Sequence, residues 1–454
     1  MNARRTMSCL VGCTLALAAC GSSDSGQNGG SGGSSASGGS TGTGGGATTG
    51  GTTGTGGHTG GSGGSSSTGG TTGGTGGSVS TGGATGTGGM SATGGGGGAK
   101  ATGGSGGAAG GAAGKPGTGG AAGASTGGGG SGGGALCQYS SGLNVAWVNF
   151  ANDVPNPDLT TFNTIFKNTH DAGGRIVRWW FHTNGTVTPY DSSGNIPAMP
   201  PQSTIDGVKA ILNAAHSNGL GVNISLWSFD MLQDNAGTAY TRNQKVLEDD
   251  TVRASYATYL GNLVTALKGT PGLYSYEIFN EPEGMGPNGW ATHRTTEAYI
   301  QKCVNWFSAA IHAADPTVPV TNGAVTFDYC SNVSGKTNDY SDSALVAAGG
   351  KSTGTLDFYE VHYYSSNGAS NSAVTYPASH WALDKRLIMG EFAAVDTDGT
   401  TKDNLFTHLY DTGYDGSWAW AYDEGNASYQ WPSMKQGMTN LYNAHTSVIG
   451  ACPP

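Results

Sequence analysis

The chain has 454 residues, but residues 21–135 are almost wholly Gly, Ser, Thr and Ala, with no aromatic residue and only Val79 and Met90 as larger apolar side chains. Such a segment buries too little apolar surface to fold, which excludes reading the length as several domains and leaves one domain over residues 136–454. Within that domain 16 basic residues face 29 acidic ones, a net of about −13 that repels phosphate backbones and anionic lipid and excludes nucleic acid as a partner.

The first element is a leader. "MNARRTMSCLVGCTLALAAC" opens with Arg4 and Arg5, continues with an apolar run too short to span a bilayer, and closes on small residues before Cys20. Its end, Leu17-Ala18-Ala19-Cys20-Gly21, resembles the lipobox of bacterial lipoproteins, which implies a signal over residues 1–20 and a Cys20 that is acylated after cleavage. An ordinary secretory signal with an incidental Cys20 is the alternative. Both predict export. Residues 21–135 follow as a disordered linker whose r.m.s. span is roughly 60 Å for a Gly-rich coil. Gly60-Gly61-Ser62-Gly63-Gly64 matches a hydrolase nucleophile pattern, but no strand precedes it and no helix follows, so it carries no meaning.

Beyond residue 136, strand-like and helix-like stretches alternate. The apolar runs predict strands at 143–150, 176–182, 221–228, 273–280, 319–325, 357–364, 386–392 and 414–422, with helical spacing over 203–219, 252–268 and 293–314, among others. Eight strand-then-helix units predict an α/β fold, a (β/α)8 TIM barrel. A doubly wound sheet is the runner-up, but no glycine-rich phosphate turn follows the first strand.

In a barrel of this kind the functional side chains stand where strands end. Strict alternation puts Arg178, Trp180 and His182 on one face of the second strand, and Glu360, His362 and Tyr364 on one face of the sixth. The fourth strand closes on Asn280-Glu281, and the seventh on Gly390-Glu391-Phe392. Two carboxylates on one rim, in an aromatic-lined cleft, are the minimum equipment for breaking a glycosidic bond: one protonates the leaving oxygen, the other attacks or activates water. Of the tryptophans on predicted strands, Trp420 and Trp227 are expected to face substrate and the others to fill the core. Glu283 reads as a loop carboxylate. Asp396 and Asp398 make half of a calcium loop without the remaining ligand spacing, so no metal is expected.

"EIFNEPEG", "VHYY", "MGEF" and "WAWAY", in this order and spacing, resemble the glycoside hydrolases of the large clan that includes family 5, over essentially all of residues 140–445. "LWSFDM" followed by "EIFNEPEGM" is similar to a bacterial group that includes β-1,4-mannanases. The resemblance implies a retaining endo-β-1,4-mannanase, with Glu281 as acid/base, Glu391 as nucleophile and Asn280 on the sugar 2-hydroxyl. It further implies that Arg178 and Tyr364 hold Glu391, that His362 lines the same subsite, and that Trp420 floors it, with Trp418 in that place if the register slips by two. His182 stands at the exit of the second strand, where it meets substrate or stabilises a loop. A β-1,4-glucanase or other β-glycanase is the alternative within the clan, and a surface protein that binds polysaccharide without cleaving it is the alternative outside it. The implied partner is a polysaccharide substrate on which a monomer acts, with no cofactor and with membrane attachment only through the lipid.

Export changes the reading of the cysteines. Cys9 and Cys13 leave with the signal, and Cys137, Cys303, Cys330 and Cys452 remain in an oxidising compartment. Three pairings are possible; Cys137 with Cys452, clasping the domain ends, and Cys303 with Cys330 are the expected ones. The lipobox reading has a direct check: in detergent phase separation the unaltered protein is expected in the detergent phase and the Cys20→Ala variant in the aqueous phase, and an aqueous unaltered protein would establish the plain signal instead.

Overall fold

In the computed structural model, which describes residues 136–423 and 430–452, eight strands close on one another. They are β1 (Ser140–Ala146), β2 (Ile176–Thr183), β3 (Gly221–Ser228), β4 (Leu273–Asn280), β5 (Val320–Ala324), β6 (Tyr359–Tyr363), β7 (Leu387–Phe392) and β8 (Gly416–Ala419). Each is parallel to the next, and β8 pairs with β1. The expected (β/α)8 barrel is the fold. Cys20 and the glycine-rich stretch lie outside the described residues.

Helices α1 (Leu159–Asp171), α2 (Gln202–Ser217), α3 (Tyr240–Glu248), α4 (Asp250–Leu267), α5 (Glu297–Ala314), α6 (Asp342–Gly349), α7 (Lys402–Asp411) and α8 (Trp431–Ala444) lie along the chain between and after the strands. Their ends follow local chemistry. The Asp249 side chain accepts from the Thr251 and Val252 amides to start α4, and Thr296 accepts from the Tyr299 amide to start α5. α5 stops at Ala314, before Pro316, as the sequence predicts. α4 buries Tyr256, Tyr259, Leu260, Leu263, Val264 and Leu267 in the main apolar core, to which strands and helices both contribute.

The terminal strands differ most from expectation. β1 begins at Ser140 and ends at Ala146, whose φ of 52° takes the chain out of extended conformation. β8 is only Gly416–Ala419.

A second, smaller apolar cluster gathers Cys137, Ile176, Tyr274, Phe358, Ile388, Trp418 and Cys452. Several of these stand at strand starts, so the cluster forms the floor of the barrel, opposite the end where strands deliver functional groups. Trp418 is therefore a floor residue, fully buried, which removes it as the alternative to Trp420. Cys137 and Cys452 are disulfide-bonded across this floor.

The expected Cys303–Cys330 bond is not formed, and both thiols are buried and free. Each is committed to its own surroundings. The Cys303 thiol on α5 faces the carbonyls of Val246 and Leu247 at 3.6 and 3.7 Å, while Cys330 pairs through its backbone with Asn338 in the segment after β5.

The disulfide closes a loop with a sequence separation of 315, so its main effect is on the unfolded chain. Cys137→Ser is expected to cost about 2–4 kcal/mol and to lower the thermal midpoint by about 5–10 °C, measured by scanning calorimetry. A midpoint unchanged by this substitution would show that the clasp contributes nothing to stability.

Candidate active site

Arg178, on β2, is fully buried inside the barrel and spends its guanidinium on groups from three other strands. Nε and Nη2 donate to the two oxygens of Glu277 at 2.6 and 2.7 Å. Nη1 donates to Asn144 Oδ1 at 2.8 Å and to Glu391 Oε1 at 2.6 Å, and Nη2 also donates to Asn280 Oδ1 at 2.7 Å. Glu360 Oε1 lies 3.0 Å from Nε, but the single hydrogen of Nε already serves Glu277. Three carboxylates thus surround one cation.

Asn144 anchors this network to the barrel wall. Its Nδ2 donates to the carbonyls of Gly390 and Trp418 at 2.9 and 3.2 Å, which stitches β1 to β7 and β8. Asn144 and Glu277 are site residues that no strand-end motif of the sequence marks. The signal is that each is a polar residue at a buried position inside a strand, where it needs a partner.

Glu281 follows β4 in the left-handed region, with φ 46° and ψ 53°. For a residue with a Cβ this costs about 1–2 kcal/mol. The turn lifts Glu281 out of the strand, its amide donating to the Gly323 carbonyl at 2.8 Å, and leaves its side chain 14% exposed while Glu391 is only 5% exposed. His362 stands between the two: Nδ1 is 2.9 Å from Glu281 Oε1 and 3.6 Å from Glu391 Oε1. One oxygen of each glutamate and one ring nitrogen of His362 lie within 4.8 Å of one another. A divalent ion could bridge such a set, but the Arg178 guanidinium 2.6 Å from Glu391 opposes a second positive charge there.

Tyr364 Oη donates to Glu391 Oε2 at 2.8 Å. Beside it, Trp420 belongs to an aromatic cluster with Trp147 and Trp180, at ring separations of 6.1 and 5.5 Å. The sequence-predicted Arg178, Asn280, Glu281, His362, Tyr364, Glu391 and Trp420 are therefore gathered at the strand ends.

Two predicted site residues are not. Trp227 and His182 are buried against each other, 4.9 Å apart, and against Tyr256 of α4 at 5.4 and 5.7 Å. They belong to the layer between sheet and helices, away from the barrel mouth. For His182 the reason is a register shift. Between Trp180 and Thr183 the β2–β3 pairing takes up an extra residue, and the β4–β5 pairing does so between Glu277 and Asn280. Alternation counted from the strand starts fails beyond those points.

Glu283 is a loop carboxylate, as expected, but a buried one. It accepts from Tyr340 Oη and from the Val325 amide at 3.1 Å, tying the turn after Glu281 to the segment after β5. Asp398 accepts from Tyr363 Oη and Ser372 Oγ and ties the loop after β7 to the end of β6 and the segment after it, whereas Asp396 accepts from the Lys402 amide and closes its own loop.

Comparison with known proteins follows the same outline. The sequence profile of Cellulase (glycosyl hydrolase family 5) matches residues 138–429. A mannan endo-1,4-beta-mannosidase of Cryptopygus antarcticus is 31% identical over 333 residues, covering 67% of this chain and 85% of its own length. One of Mytilus edulis is 30% identical over 329 residues, covering 67% and 88%. Among solved structures, the beta-mannanase from blue mussel Mytilus edulis superposes with a TM-score of 0.62 at 29% identity, covering 68% of this chain and 93% of its own. The beta-1,4-mannanase from the sea hare Aplysia kurodai does so with 0.61 at 27%, covering 70% and 96%.

The two carboxyls at the centre are held differently. Burial pushes Glu281 well above the usual carboxylate range, and the charges of Glu391 and Glu283 push it further. Burial also raises Glu391, but Arg178 and the Tyr364 hydrogen bond oppose it and the balance is about 7. Burial, then Arg178, keeps His362 well below its usual value and hence neutral. Tyr364→Phe removes a donor to the charged form of Glu391, worth ~1.5 kcal/mol, so Glu391 should ionise up to about one pH unit later. The acidic limb of the kcat/KM profile is expected to move to higher pH by that amount, and a limb that stays or moves to lower pH would show that Tyr364 does not stabilise the carboxylate.

Proposed function

The chain belongs to glycosyl hydrolase family 5, and on that premise we infer that it is a retaining endo-β-1,4-mannanase acting on mannan or glucomannan. The observation that carries the mechanism is the proximity of Glu281 and Glu391, with oxygens within 4.8 Å. A retaining enzyme needs its carboxyl groups ~5–5.5 Å apart, whereas an inverting one leaves ~6.5–9.5 Å for a water. The sugar backbone is argued from the relatives, which carry the mannan endo-1,4-beta-mannosidase name at 30–31% identity over most of their length.

Glu391, ionised beside Arg178, attacks the anomeric carbon while Glu281, protonated, gives its proton to the leaving oxygen. A glycosyl–enzyme ester results. Glu281, now a carboxylate, takes a proton from water, which attacks the same carbon and frees Glu391 with configuration retained. Asn280 holds the 2-hydroxyl of the reacting sugar and Trp420 lies under its ring. No cofactor enters. The leader and the glycine-rich stretch make this an exported enzyme, attached to the cell surface through an acylated Cys20, that works as a monomer on polysaccharide within reach of its tether.

Reducing-sugar release from galactomannan and glucomannan, against carboxymethyl cellulose and xylan, tests the backbone: mannan-containing polymers are expected to be cleaved, and preference for carboxymethyl cellulose would make it a glucanase. The two glutamates test the roles. Glu391→Ala should abolish turnover of every substrate. Glu281→Ala should lose about 10²–10⁴ on polysaccharide, yet release a burst of aryl alcohol from an activated aryl glycoside, with azide restoring turnover and giving a glycosyl azide of retained configuration. Rescue of Glu391→Ala to an azide of inverted configuration would reverse the assignment.

A further inference from the structure

The amide of Asn280 is constrained on both of its ends. Its oxygen faces Arg178 Nη2 at 2.7 Å, and because a guanidinium only donates, the oxygen must be on that side. Its nitrogen donates to Ser228 Oγ at 3.2 Å, across the β3–β4 pairing that sets Ser228 opposite Asn280. Ser228 in turn donates to Asp230 Oδ2 at 2.7 Å and accepts from the Asp230 amide at 3.4 Å. Asp230 Oδ1 accepts from Asn235 Nδ2 at 3.2 Å. Ser228, Asp230 and Asn280 are all buried. A hydroxyl has one hydrogen and two lone pairs, and all three are used here.

We propose that Ser228 and Asp230 are positioning residues that orient the Asn280 amide so that it presents an N–H donor, and never its oxygen, to the 2-hydroxyl of the reacting sugar. The carboxylate of Asp230 takes the Ser228 hydrogen, so Ser228 can only accept from Asn280. With the oxygen committed to Arg178 and one N–H committed to Ser228, the second N–H is what the amide has left to offer. The 2-hydroxyl oxygen then accepts, and its own hydrogen is free for a neighbouring carboxylate. Part of the discrimination at that carbon is in this way set by two side chains that do not touch substrate. The inference rests on the proposed placement of the reacting sugar against Asn280.

The test pairs two activated aryl β-glycosides of a mannobiose, one with the 2-hydroxyl on the reacting sugar and one with hydrogen in its place, on the full chain. Ser228→Ala is expected to lower kcat/KM about 10–100-fold on the 2-hydroxy substrate but less than about threefold on the 2-deoxy one. Ser228→Thr, which restores the hydroxyl, should recover most of the loss. Asp230→Asn, isosteric but a weaker acceptor, should show the same selective pattern at smaller size. The Ser228→Ala, Asn280→Ala double variant should be no worse than Asn280→Ala alone, since both remove one interaction. Equal losses on the two substrates, or additive losses in the double variant, overturn the proposal. Glu391→Ala separates the two levels: if it is inactive on both glycosides while Ser228→Ala shows no selectivity, this inference fails alone, and if it remains active the assignment of the site fails with it.

Discussion

A guanidinium with no solvent contact, Arg178, organises the interior of this barrel. An isolated buried cation is expensive, and removing a partner from a buried ion pair is typically worse than never having made it. Glu277, Glu391 and Glu360 answer the charge, and Asn144 and Asn280 fill the remaining hydrogen-bond positions. Three carboxylates overcompensate one cation. Burial, with the neighbouring Glu277, raises Glu360 well above the usual carboxylate range, which lessens the negative charge crowded around Arg178. Burial alone would depress Arg178, but the same carboxylates raise it and keep it charged.

The polar layer dictates the size of the residues around it. A Cβ at Gly390 would lie 2.2 Å from Glu360 Oε1, and one at Gly323 would lie 2.5 Å from Glu277 Oε1 and 3.1 Å from His362 Nε2. Neither glycine has a positive φ, so what is required there is the absence of a side chain rather than backbone freedom. The Gly-Glu pair that ends β7 therefore has a physical reason. Gly390 makes room for Glu360 next door, and its carbonyl receives Asn144, while Glu391 meets Arg178.

Much of this was legible in the sequence because the signals were local. Six of the eight strands lie within two residues of the predicted ends at both termini, since each is an apolar run bounded by turn residues. Glu281 and Glu391 were legible because a carboxylate at the end of such a run has no structural reason to be there. What failed was parity. Counting in twos puts His182 on the site face, and an extra residue in β2 reverses the count before the strand ends, while for Trp227 residue type alone does not tell a sugar platform from a core ring. A bulge inserts one residue without changing composition, so the pattern carries no mark of it. The Cys303–Cys330 pairing failed for a related reason: cysteine count and compartment say that bonds can form, and only tertiary placement says which thiols meet.

The same local geometry explains why two glutamates a few ångströms apart can hold different protonation states. Glu391 ends a strand and stays in line with it, so it remains inside the barrel where Arg178 and Tyr364 reach it. Glu281 is one residue past its strand, turned into the left-handed region, and its nearest polar partner is a neutral imidazole. The first position supplies two donors to a charge, the second supplies none that is itself charged. Arg178 pulls Glu281 down as well, but burial and the charges of Glu391 and Glu283 outweigh it. The left-handed turn at φ 46° is in this sense part of the electrostatics: Arg178 pairs directly with Glu391 but reaches Glu281 only at longer range, so the same cation favours one charge more than the other.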